Sequence, residues 1–93
     1  MQRFVAVHTL PLTEEQASAM LKNHPPFPPG VVCRWTYCSF EEHKFFCDWV
    51  APSKEAILDW FKAVDMPYDA IYPVRIADWA LQELEPAAQS AAV

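Results

Sequence analysis

Ninety-three residues with a formal net charge of −5 make one small domain, and they argue against a nucleic-acid partner, because only seven basic residues are present and they are scattered. No apolar run reaches the roughly 20 residues of a membrane span. No basic start followed by a long apolar core marks a signal peptide, so the expected setting is the cytoplasm with reduced thiols.

Apolar content is the informative part of the composition. A chain of this size buries roughly 60–65% of its unfolded surface. Yet 53% of the residues are hydrophobic and 14% aromatic, which exceeds the needs of one small sheet with a wet face. The excess points to a second buried surface, hence an oligomer. Three cysteines, an odd number, do not suit a disulfide framework.

In chain order, Arg3 to Leu10 is apolar on both alternating faces, as in a central strand covered on both sides. Thr13 to Gln16 has the spacing of a capping box with acidic residues in the first turn. The helix it opens is predicted to run to about Asn23, with Ala17, Met20, Leu21 and His24 inward. Four prolines and Gly30 then form a stiff loop. Val31 to Pro52 follows as two β-branched and aromatic runs around Glu41-Glu42-His43-Lys44, the pattern of a hairpin. Ser53 is placed to cap a second helix with Ile57, Leu58, Phe61 and Val64 on one stripe and Trp60 at its flank. That helix ends at Asp65 to Asp69. Ala70 to Ala77 reads as a last strand, and Pro73 assigns it to a sheet edge. Asp78 to Glu85 suits a short helical turn or an arm. Residues 1–85 are read as the domain and 86–93 as a disordered tail.

The resulting order, β-α-β-β-α-β, is the ferredoxin-like arrangement of the α+β class. It predicts a four-stranded antiparallel sheet with the last strand at one edge, then the first, third and second, and two helices on one face. The other face carries large apolar groups with nothing in the chain to cover them. A homodimer with sheets packed face to face, a dimeric α/β barrel, removes that exposure.

The residues that carry a family resemblance are now in place. Trp35-Thr36-Tyr37, Lys44 to Pro52 with its Cys-x-x-x-Ala-Pro ending, and Asp65-Met66-Pro67 together resemble the small bacterial nickel-binding-type domains of the dimeric α/β-barrel superfamily. The likeness covers most of residues 3–77. It implies the ferredoxin-like fold, a dimer, and a metal-related role in which Cys47 carries over. The chain departs from the pattern at Val7-His8, where the family tends to an acidic-basic pair. It departs again at Trp60-Phe61, where a histidine is common, and at Asp65, where glycine is usual.

Candidate chemistry follows from strand order. His8, Cys38, His43 and Cys47 are placed at one end of the sheet, with Glu41, Glu42 and Asp69 nearby. Thiolate and imidazole donors suit nickel, zinc or copper, although the spacings match no known ligand string. A turn of two or four residues puts Cys38 on the face of Phe45 and Cys47; a turn of three puts it opposite. Cys33 is expected to stay apart, about 16 Å from Cys38 at about 3.3 Å per residue. Trp35, Tyr37, Phe45, Trp49 and Trp60 are candidates to line a pocket for an aromatic small molecule. On that reading His8 is the general base of a cofactor-free monooxygenase or isomerase. Against these stand plainer readings: buried cysteines as small hydrophobes, His8 as a satisfied core histidine, and an assembly module without chemistry. Asp48 on a central strand needs a cation, and Arg34 and Arg75 are the expected partners.

Overall fold

The computed structural model describes residues 1–87. The tail expected at 86–93 lies, from residue 88 on, outside the described residues. The chain forms β1 (Gln2–Thr9), α1 (Glu14–Asn23), β2 (Val32–Ser39), β3 (Lys44–Ala51), α2 (Lys54–Ala63) and β4 (Ala70–Pro73). Two short strands follow, β5 (Ala77–Asp78) and β6 (Glu83–Leu84). It is an α+β protein with two helices and a four-stranded antiparallel sheet in the order β2-β3-β1-β4.

Alternation along the central strands decides which face is the core. Phe4, Ala6 and His8 of β1 are buried, as are Phe45, Trp49 and Ala51 of β3. Register stacks them into rungs: His8 beside Phe45, Ala6 beside Cys47, Phe4 beside Trp49. Ile57, Trp60 and Phe61 of α2 close over this face and join the core cluster with Val31 and Ile71. Phe27, from the proline loop, makes edge contacts with Trp49 and Trp60. The Trp60 indole N–H donates to the Pro26 carbonyl at 3.3 Å. The indole N–H of Trp49 is buried without a partner among the described residues.

The two helices behave differently, although both are well capped. Ser53 caps α2 by accepting from the Ala56 N–H. At the other end, Met66 N–H donates to Phe61 O at 2.8 Å and Asp65 N–H to Lys62 O at 3.3 Å. That is the Schellman bonding pattern, with Asp65 in the left-handed conformation at φ 56. In α1 the capping box of Thr13 and Gln16 is complete. But α1 buries no residue. Ala17 is half-buried, while Met20, Leu21 and His24, expected inward, are exposed. The helix stands off the sheet, over two cavities of about 330 Å³ each that share Met20 and Met66.

Three further expectations need correction. β4 stops at Pro73 rather than Ala77, with one further bond to β1 just beyond it, from Val74 N–H to Arg3 O at 3.0 Å. Residues 78–85 are not a helical turn; β5 and β6 pair as a small antiparallel hairpin. Asp48 is held by Arg3, not by Arg34 or Arg75. The Arg3 guanidinium donates to Asp48 at 2.7 Å and, from its other edge, to Glu85 at 3.0–3.2 Å. Arg3 and Asp48 are diagonal neighbours, two residues off register on adjacent strands, and share a face, so the pair is local to the sheet. Glu85 ties the terminal hairpin to it and also accepts from the Ile76 N–H at 3.2 Å.

Candidate functional site

β2 and β3 are joined by residues 40–43, a four-residue turn, with His43 at φ 56. Cys38 therefore pairs with Phe45, and Thr36 with Cys47. Cys38, Thr36, Phe45, Cys47 and His8 all face the helices. They border the cavity beneath α1 together with Leu10, Leu12, Ala17, Met20, Leu21, Trp35 and Met66.

At the floor of this cavity Cys47 is the hub. Thr36 Oγ1 donates to its sulfur at 3.3 Å. The Cys33 thiol and the His8 imidazole influence the same sulfur. His8 Nδ1 donates to the Pro67 carbonyl at 2.8 Å, which fixes the ring and leaves Nε2 for Cys47. Cys33 is the largest influence on Cys47, burial opposes it, and His8 and Thr36 add to it; the thiol is pulled down to about 5. Cys33 is pushed up in turn, by Cys47 and by burial. Of the two thiols, Cys47 is thus the one that favours its ionised form and Cys33 the one that keeps its proton. Burial lowers the basicity of His8, but Cys47, the Pro67 carbonyl and the Asp69 charge together raise it above an ordinary histidine. The arrangement is a thiolate beside an imidazole that favours its protonated form.

The presence of Cys33 here corrects the expectation that it stays apart. It is distant from Cys38, but Cys47 lies mid-strand between them. A β-bulge between Cys33 and Trp35 leaves Arg34 out of the ladder. One extra residue reverses the alternation, so Cys33 and Thr36, three positions apart, share a face. Thr36 was not anticipated either; nothing local in the sequence announces a bulge.

The remaining expected site residues spread out. Cys38 is exposed at the cavity rim, with the Phe45 position between it and His8 in the rung. His43 is exposed in the turn. Among the described residues, no group of three or more His, Cys, Asp or Glu stands close enough to hold a metal ion. Of the expected pocket residues, Trp35 and Phe45 border the cavity. Tyr37 pairs with Phe46 on the opposite face. Trp49 and Trp60 belong to the core, and Trp60 also borders the second cavity under α1.

Fold and site together define a small α+β domain that presents a thiolate–imidazole pair, donors of the soft-metal kind. The family model described as Nickel responsive protein SCO4226-like matches residues 4–74, and the chain belongs to that family. No curated protein and no solved structure gave a significant match. Among the described residues, no helix is long and apolar enough to cross a membrane.

Proposed function

We propose that this chain is a small non-catalytic protein that binds a soft divalent metal through Cys47 and His8. Nickel is the metal to test first, given the family's printed description; zinc and copper are the alternatives. The observation that carries this reading is that Cys47 and His8 face one cavity, with the Cys47 thiol pulled down and His8 Nδ1 already fixed on the Pro67 carbonyl. Two donors are half a site. Cys38, on the rim of the same cavity, is the candidate third protein ligand, and water completes the coordination. His43 is left out, because its turn carries it away from the cavity.

Metal content after mild purification, with and without Cys47→Ser, tests this. Nickel is expected in the parent protein and lost from the variant. Equal metal in both would remove Cys47 from the site.

The same proposal includes a twofold assembly, the ferredoxin-like dimeric barrel. Its support is the sheet face turned away from the helices. Val32, Tyr37, Phe46 and Tyr72 stand exposed there, beside the half-buried Val5, Val7 and Val50. An apolar surface of that extent is unusual on a monomer.

One observation favours a second reading, a small enzyme acting on an aromatic molecule. The cavity beside His8 holds about 330 Å³, at the small end of ligand sites. Against it, both nitrogens of His8 are engaged, so the ring must exchange a partner before it can act as a base. Native mass spectrometry that finds a retained aromatic ligand would favour the enzyme. An empty cavity and no metal would leave an assembly module.

A further inference from the structure

Both helices are capped, but only α2 packs. An apolar helix side normally closes onto its sheet, because protein interiors leave few voids. The apolar side of α1 roofs a gap instead. Ala17, Met20 and Leu21 line the cavity that reaches His8, while Ala19 and Met20 line the one that reaches Trp60. Met20 and Met66 belong to both. The two spaces therefore meet at a neck of unbranched thioether side chains, which adapt readily to what lies between them. Joined, they make a slot beneath a helix of ten residues, about 15 Å long. Leu12 and Phe45 wall the inner half, and Pro25 and Val64 the outer half.

Polar groups beside the slot are already engaged within the chain. Thr36 Oγ1 donates to the Cys47 sulfur, and the Cys38 thiol to the Thr36 carbonyl. His8 Nδ1 is on the Pro67 carbonyl. At the outer end Asn23 Nδ2 donates to the Ala19 carbonyl at 2.9 Å, and His24 Nδ1 to the Pro25 carbonyl at 2.7 Å. What remains to recognise a ligand is apolar surface. Each half holds about 330 Å³, which suits a small molecule and not a partner helix roughly 10 Å across. A compact ring system occupies one half; an elongated molecule uses both.

We propose that the slot binds the unbranched alkyl chain of a single-chain amphiphile, with the polar head left in water. The site draws on its apolar walls and not on sulfur or imidazole as donors, so it stands apart from the metal reading. Entry needs only that α1 lift slightly, and no buried side chain of α1 resists that.

Primary alcohols from butanol to decanol, titrated calorimetrically into the reduced, metal-free full chain, test this. Affinity should rise about fourfold with each added methylene. Ala17→Phe fills the inner half and Ala19→Phe the outer half. Each should weaken decanol binding by about tenfold or more, the equivalent of losing two methylenes. Ser18→Phe, on the same helix but outside both linings, should leave binding unchanged. That control separates a filled slot from a disturbed helix. Affinity that does not grow with chain length would overturn the proposal. So would loss in only one of the two alanine variants, which confines the ligand to one half, or equal loss in Ser18→Phe. Naphthol binding tighter than decanol would return the cavity to a compact aromatic ligand. Nickel takes no part in these titrations, so failure of the metal reading is seen separately, in metal content.

Discussion

At the scale of single residues, the lowered pKa of Cys47 has a consequence for stability that can be given a sign. An unfolded thiol titrates near 9 and the folded Cys47 near 5. A depressed pKa contributes stability that is complete above the unfolded value and is lost as pH falls toward the folded one. His8 works in the opposite sense. Its pKa is raised above 6.5, so its contribution is present below that value and fades as pH rises through the folded pKa. Cys33, also raised, takes stability away only above pH 9. Between pH 5 and 8 the larger Cys47 effect wins. The parent should therefore gain more stability over that interval than Cys47→Ser, judged by urea midpoints at both ends. Parallel gains would mean that the thiolate is not held as described. A second residue, Asp65, sits where α2 needs a left-handed conformation. Glycine takes that conformation without the steric cost of a Cβ. Asp65→Gly, which restores the family's usual residue, should raise stability by about 0.5–1 kcal/mol. A lowered melting temperature would show that the Asp65 side chain does something beyond occupying the turn.

At the scale of elements, the strands and caps were legible in the sequence, and the reasons are local. Thr13 and Gln16 make their capping box because both partners lie within four residues of each other. Pro73 puts β4 at the sheet edge, because it has no N–H to offer a further strand. The even turn at 40–43 settles the face of Cys38 by simple alternation. What could not be read depends on distant groups. The bulge at Arg34, and with it the face that Cys33 and Thr36 share, is fixed by how β2 lies on β3. The choice of Arg3 for Asp48 needed the β1–β3 register, not the hairpin alone. The apolar spacing of Ala17, Met20 and Leu21 predicted burial, but spacing says only which side of a helix is apolar, not how closely it docks. In α1 that side borders cavities. With no buried residue to anchor it, α1 should open far more readily than α2. Hydrogen exchange should show the amides of residues 17–23 exchanging well before those of 57–63, and metal binding should narrow the gap. Equal protection of the two helices in the metal-free protein would contradict the loose docking.

At the scale of the whole molecule, the two faces of the sheet divide the labour. The helix side holds the sulfur–imidazole site. The opposite side holds Tyr37, Phe46 and Tyr72, around the Arg3–Asp48–Glu85 ion group. That group also fixes the terminal hairpin, on which Trp79 is 91% exposed. A paired charge beside apolar groups is expected where a surface meets a partner, since the pair costs less to desolvate than a lone charge. Tyr37 and Phe46 are directly opposite each other on β2 and β3, so one substitution there reaches the middle of the proposed contact. The parent should sediment at twice its 10.7 kDa mass. Phe46→Glu should shift it toward the single-chain mass, because a carboxylate buried without a partner costs several kcal/mol. Nickel binding should survive in that variant, since Cys47 and His8 lie on the other face. A parent that stays at the single-chain mass at every concentration would remove the dimer. Loss of metal together with the dimer would instead mean that the partner copy completes the site that His8 and Cys47 begin.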